Sequence, residues 1–253
     1  MAIPDTLAAR LIETTKQHSL RGAFLMLGRQ RWIGTRKGKA ALLLKETIEE
    51  YLPGKTEGDL KNENDHYAET FFESLGYDSI DSMDFSNFEG ASIIQDLSGE
   101  LDPSLEERFD VIYDGGTCEH IFDLPTAYRN INRMLKKGGV LIGHSPCNNW
   151  INHSFYQINP EMVYGFWEKA TGYEVMQLIL QPLLPNFSDR VVTTTNPNET
   201  GVRPRLKGQL PNNSPIMMCY AVKKPMKSIE TRSAYQTDYV EKWDGSSISQ
   251  SGL

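Results

Sequence analysis

Short apolar runs alternate with amphipathic stretches along most of the chain, and that alternation predicts its elements. "GAFLMLG" (22–28), an apolar run closed by glycine, reads as a central strand. "GKAALLLKETIEEYLP" has helical period and stops at Pro53 and Gly54. "EGDLKNEND" (57–65) is a charged surface loop, and "HYAETFFESLG" is a further helix ended by Gly76. A weaker strand covers about 77–83 and ends at Asp84, and "ASIIQDL" gives a third strand closing at Asp96. "FDVIYD" (109–114) is the fourth. Asp123 then caps a helix through "LPTAYRNINRMLKK", with Pro125 in the first turn and Gly138 at the stop. "GGVLIGHSP" is the fifth strand. Residues 147–170 read as a loop and an aromatic-rich helix that Pro160 starts at its first position. "YEVMQLIL" and "IMMCYAVKK" supply two late strands, paired antiparallel at the sheet edge.

Strand and helix alternating over 22–146 predict an α/β fold with a doubly wound, mostly parallel sheet. An N-terminal helix, with Leu7, Leu11 and Ile12 on one face, occupies 1–21, and the main domain runs from 22 to 225. Between the two late strands, about 182–214 is rich in Pro, Asn and Thr and reads as a lid or mobile loop. Residues 226–253 form a polar tail, disordered over "DGSSISQSGL".

The 253 residues suffice for one large α/β domain with ample core, and 39% hydrophobic with 23% charged residues is ordinary for a globular chain. A formal charge of -7 argues against a broad nucleic-acid-binding face. No apolar run approaches the roughly 20 residues a membrane helix needs, and the amphipathic N-terminus lacks a signal peptide's apolar region. Cys118, Cys147 and Cys219 are odd in number and far apart, which argues against a disulfide framework. The chain reads as cytoplasmic, with no nucleic-acid or membrane partner and an oligomeric state that the sequence does not give.

Strand four ends in an unusual concentration of reactive groups, "DGGTCEHIFD", and strand tips are where open α/β sheets bind ligands. With acidic residues ending strands two, three and four and a glycine turn after strand one, the order resembles class I SAM-dependent methyltransferases over about 22–225. The resemblance implies a Rossmann-like, seven-stranded sheet with an antiparallel edge strand, and S-adenosyl-L-methionine (SAM) as cofactor. It places Gly28 against the methionine part of SAM, Asp84 on the ribose hydroxyls and Asp96 by the adenine, with Phe85 and Leu97 beside them. Asp114 and Gly115 would shape the cofactor side of the strand-four loop, and Arg29 and Gln30, directly after the turn glycine, would touch ligand. Two departures stand out: Met26 and Gln30 occupy positions where the family usually has an acidic residue and a second glycine. Gly28 and Asp84 are also 56 positions apart, against about 20 in a compact dinucleotide site, which a helical insertion after strand one would explain.

Methyl transfer needs a nucleophile held in line with the sulfonium methyl, and a base where that nucleophile carries a proton. His120 is the candidate base and Glu119 its neighbour, although His120 could instead cap the following helix or bond a backbone carbonyl. "HSPCNNWINHSFYQINPEMVYGFW" (144–167) follows strand five and offers His144, Asn149, His153, Tyr156 and Gln157 as a wall for a polar small-molecule acceptor. His120, His144, His153, Cys118 and Cys147 match no compact zinc spacing, so no metal is assigned, and a metal-dependent methyltransferase is the alternative reading of the same residues. In "GTRKGKA" (34–40) the phosphate-loop order is not satisfied; Arg31, Arg36, Lys37 and Lys39 could hold an anion, with a solvated face favoured for Lys37 and Lys39. The expected function is methyl transfer to an O, N or S nucleophile of a small molecule. A degenerate member of the fold, binding cofactor or partner without catalysis, is the alternative.

Overall fold

A computed structural model of the chain describes residues 2–34, 38–62, 64–227, 232–240, 242 and 243. Arg36, Lys37 and the 244–253 stretch of the polar tail lie outside the described residues.

Its strands are β1 (Ala2–Pro4), β2 (Ala23–Leu27), β3 (Arg31–Ile33), β4 (Ser79–Asp84), β5 (Ile93–Ile94), β6 (Phe109–Asp114), β7 (Leu135–Asn148), β8 (Glu174–Pro182), β9 (Val192–Thr193) and β10 (Ile216–Lys223). The main helices are α1 (Asp5–Gln17), α2 (Gly38–Tyr51), α3 (Glu69–Leu75), α4 (Leu124–Met134) and a short α5 (Pro197–Thr200). Eight strands form the main sheet in the order β5-β4-β2-β6-β7-β10-β8-β9. β5, β4, β2, β6 and β7 run parallel, while β10 is antiparallel to both β7 and β8. The sheet is thus Rossmann-like and mostly parallel, with eight strands where the resemblance implied seven. The extra one is the two-residue β9, which pairs antiparallel at the β8 edge. The late pair is antiparallel as expected, with β10 between β7 and β8, and β8 second from the edge beside β9.

The sheet's apolar positions divide into two cores, one on each face. Leu25, Leu27, Ile112 and Leu141 pack with α4 residues and Trp167 on one side. Phe24, Met26, Val111 and Ile142 pack with α1, α2 and α3 on the other. This is the two-sided burial that crossover helices impose on a parallel sheet. α1 is covered on more than the one predicted face: Thr6, Arg10, Thr14 and Thr15 are also buried, and the Arg10 Nε donates to Gln181 Oε1 at 2.8 Å. The long gap between Gly28 and Asp84 is filled by β3, α2 and α3, with β3 pairing β1 in a separate two-stranded sheet.

At its C-terminal end α4 stops three residues earlier than its sequence suggests, because Leu135 has already turned to an extended conformation and opens β7. Asp123 caps its start by accepting from the Thr126 N–H at 3.3 Å. The aromatic-rich segment begins at Pro160 and is wound as a π-helix over Met162–Ala170. The 182–214 connection packs onto it: Asn196 Nδ2 donates to Glu168, and Tyr164 Oη lies 2.8 Å from Thr194 Oγ1.

Candidate active site

Five parallel strands end on one side of the sheet, and the tips of four of them, β2, β4, β5 and β6, surround a cavity of about 370 Å³. Its wall is Gly28 after β2, Met83, Asp84 and Phe85 at the end of β4, Gln95–Ser98 after β5, and Thr117 with His120–Phe122 after β6. Gly28, Asp84, Phe85, Asp96, Leu97 and His120 are therefore brought together as the sequence suggests.

Gly28 has φ +68°, and a Cβ there would sit 3.1 Å from Thr117 Oγ1, so glycine is required by backbone and space alike. Its N–H donates to Met83 O at 2.7 Å, and Thr117 Oγ1 donates to Leu27 O at 2.7 Å; these bonds tie three strand tips together. Asp84 is half-buried on the wall. Asp96 accepts from the Ser98 hydroxyl at 2.7 Å and the Ser98 N–H at 2.8 Å, which hold its carboxyl below the usual carboxylate range.

Three predicted cofactor contacts lie beneath this wall and one beside it. Gln30 is fully buried, and its Nε2 donates to Leu27 O at 2.9 Å instead of reaching the cavity. The two departures from the family pattern prove to be one contact: the Gln30 N–H points at Met26 Sδ, 3.4 Å away. Asp114 is likewise fully buried, its Oδ1 accepting from the N–H groups of Gly116, Thr117 and Cys118 at 2.8–3.3 Å, so it shapes the loop from inside. Gly115 leaves room for Tyr113 and Gln30, whose atoms a Cβ would meet at 2.7 and 2.9 Å. Arg29 turns away to pair with Glu69 at 2.7 Å, bond Glu89 O and lie 3.8 Å over the Tyr67 ring. Of the remaining basic residues, Arg31 pairs with Glu89 and Lys39 with Asp189.

After β6 the turn Cys118–His120 carries Glu119 inward and His120 outward. Burial, with the neighbouring Asp114 carboxylate, pushes the Glu119 carboxyl up to about 8. Burial and the nearby His153 hold His120 below the usual histidine range, which leaves it neutral at pH 7. The 149–158 loop folds over this turn: the Tyr156 N–H donates to Glu119 O at 3.3 Å and Tyr156 Oη to Phe122 O at 2.7 Å. The Trp150 ring lies 4.7 Å from the His153 ring, tilted by 54°, and His153 comes 5.0 Å from His120, centroid to centroid. Tyr156 and Gln157 open instead onto a second cavity of about 390 Å³, walled by the Met162–Ala170 helix and residues 234–236. That cavity is slightly larger, but it lacks the strand-tip carboxylates.

His144 is removed from the acceptor wall altogether. It is buried in the core with Nδ1 3.2 Å from Tyr113 Oη, and burial depresses its pKa to about 3. Asn149 is also diverted, donating from Nδ2 to Asn212 O and Ser214 O at 3.0 and 2.8 Å. Sequence reading missed Thr117, Gln95, Ser98 and Phe122 on the cavity wall; Ser98 alone had a local signal, since Asp-x-Ser favours a side-chain turn.

Residues 81–186 match the family model described as a methyltransferase domain. No curated protein matches the chain. Among solved structures, the chain is similar to the N-methyltransferase NodS from Bradyrhizobium japonicum WM9 in complex with S-adenosyl-L-homocysteine (SAH), at 13% identity over 86% of this chain and 85% of that one, TM-score 0.43. It is similar to the 1,6-didemethyltoxoflavin-N1-methyltransferase of Burkholderia thailandensis at 13% identity, covering 87% and 80%, TM-score 0.44. A putative methyltransferase from Bacillus halodurans C-125 matches at 16% identity, covering 86% and 98%, TM-score 0.40. The family match spans 106 of the 253 residues, and over that stretch the chain is similar to a methyltransferase domain. SAM is the cofactor that the resemblance in the sequence implies. The cavity suits that cofactor chemically, pairing two carboxylates for hydroxyl and amine donors with a bare glycine backbone and an apolar wall of Met83, Phe85 and Leu97. No helix among the described residues is long and apolar enough to cross a membrane.

Proposed function

We propose that the 370 Å³ cavity is the SAM site and that the chain methylates a polar small-molecule acceptor lying against the Glu119–His120 turn. The observation that carries this reading is the convergence of Gly28, Asp84 and Asp96, from three separate strand tips, on one cavity. Asp84 takes the ribose hydroxyls, Asp96 stays ionised beside the adenine, and the side-chain-free Gly28 faces the methionine part. Phe85 and Leu97 flank the base. Held by these residues, SAM would supply an electrophilic methyl group, with the electron pair of the S–CH3 bond left on its sulfur as the acceptor takes the methyl.

His120, on the cavity wall with a neutral ring, receives the proton that the acceptor nucleophile gives up. Glu119 sets the ring's position through the turn, its backbone carbonyl fastened by Tyr156. His153, its ring 5.0 Å from that of His120, lines the acceptor's approach. Phe122 and Phe155, 5.6 Å apart edge to face and both largely exposed, give that approach an apolar rim. The rim suits an acceptor that carries a ring or chain beside its polar group.

Calorimetric titration with SAH tests the cofactor assignment. Wild-type chain is expected to bind at micromolar Kd. Asp84→Ala, which loses charge-assisted hydrogen bonds worth about 1.5–3 kcal/mol, is expected to bind roughly 10- to 100-fold more weakly. Equal binding by wild type and Asp84→Ala refutes the assignment.

A further inference from the structure

Glu119, His120 and His153 each direct one donor atom into a common space, all within 4.8 Å of one another. His153 Nε2 lies 4.0 Å from Glu119 Oε1. Glu119 is only 1% exposed, and its Oε2 has no hydrogen-bond partner. Beside it the Oδ2 of Asp114, also fully buried, has none either. Two adjacent buried carboxyl groups are neutralised either by a proton on one of them or by a cation. Yet no ion pair among the described residues brings a lysine or arginine to either of them. The two imidazole rings lie 5.0 Å apart, centroid to centroid, and both residues are exposed while Glu119 is buried.

We propose that Glu119, His120 and His153 form a binding site for one divalent transition-metal ion. Two imidazoles and one carboxylate are the donor set that suits zinc, manganese, iron or cobalt, and three protein ligands leave coordination positions free. The buried carboxylate supplies the charge, and the two exposed rings leave those positions on the solvent side. His120 belongs both to this trio and to the cavity wall, so an ion there sits between the cofactor cavity and the acceptor's approach. An acceptor bearing oxygen, a hydroxyl or carboxylate, would fill the free positions. The ion would then lower the pKa of a ligated hydroxyl, whose proton passes to solvent, and replace the free His120 ring in that task. The role in transfer rests on the cavity being the SAM site; the binding of the ion does not.

The spacing hid this site. His120 and His153 are 33 positions apart, on a strand-tip turn and on a loop from the next strand, and no linear motif joins them.

The test uses the full chain stripped with chelator and titrated with Co2+, read by its visible ligand-field absorption, then with Zn2+ and Mn2+ by calorimetry. One ion per chain is expected. His153→Ala, in an exposed loop, should weaken binding by more than roughly 100-fold, beyond the loss that follows from removing an outer partner. Glu119→Gln should do the same while its circular dichroism matches wild type. His144→Phe, outside the trio, should leave it unchanged. Absence of stoichiometric binding of all three metals overturns the proposal, as does unchanged affinity in His153→Ala. SAH titrated against the same stripped samples separates the two readings. Ion binding without SAH binding sustains the metal site and refutes the cofactor site; SAH binding without ion binding does the reverse.

Discussion

Replacing His144 by phenylalanine should remove a specific sensitivity to acid. The wild-type ring is 1% exposed on β7, and burial, with a smaller contribution from the Arg10 charge, lowers its pKa from 6.5 to about 3. Above pH 6.5 the ring is neutral in both folded and unfolded chains and contributes no pH dependence. Between pH 6.5 and about 3 the unfolded chain binds a proton here that the folded chain refuses. Stability therefore falls with acid by about 1.4 kcal/mol per pH unit, or about 3 kcal/mol by pH 4.5. Phenylalanine fills a similar volume and cannot titrate. It strands the Tyr113 hydroxyl, which sits 3.2 Å from His144 Nδ1, at a pH-independent cost of about 1–3 kcal/mol. The assay is urea unfolding of both proteins at pH 7.5 and pH 4.5. The variant should be weaker at pH 7.5, with the gap closed or reversed at pH 4.5. Parallel losses in the two proteins would refute the assignment of His144 as a buried neutral base.

Other expectations concern the backbone around the cavity. Gly28→Ala places a side chain at φ +68° and 3.1 Å from Thr117 Oγ1, so it should cost about 1–3 kcal/mol of stability and weaken SAH binding more than tenfold by calorimetry. In Gly143→Ala the new Cβ would meet the Tyr220 ring at 2.1 Å, across the β7–β10 ladder. That variant should lose several kcal/mol in denaturant titration, and adding Tyr220→Leu should recover much of the loss. Arg29→Ala breaks the Glu69 pair and the Tyr67 stack but touches no cavity wall. It should cost about 1–2 kcal/mol while leaving SAH affinity within about threefold.

Most of the sheet was legible in the sequence because its strands are buried on both faces and read as continuous apolar runs. "FDVIYD" is β6 residue for residue. β1 and β3 were not legible: at three residues each, they are too short to show a period, and they pair with each other outside the main sheet. The strand-tip residues Gly28, Asp84 and Asp96 were legible because chain order alone puts them at the same sheet edge. Gln30, Asp114 and His144 look identical in sequence to ligand-facing polar residues. Only burial shows that they serve the loops and the core. Met26 and Gln30, an apparent defect in the first motif, became intelligible through a contact four positions apart that propensity does not encode. The acceptor side was least legible because His153 reaches His120 through a loop whose path is set by Trp150 and Tyr156 bonding to distant backbone.

The account turns on where SAM binds, and a crystal structure of the chain grown with SAH measures that directly. Density for SAH is expected in the cavity between Gly28, Asp84 and Asp96, with the ribose hydroxyls within hydrogen-bond distance of the Asp84 carboxylate and the sulfur directed toward His120. SAH seated instead in the cavity lined by Tyr156, Gln157 and Tyr235, or anywhere remote from Asp84, would contradict the account.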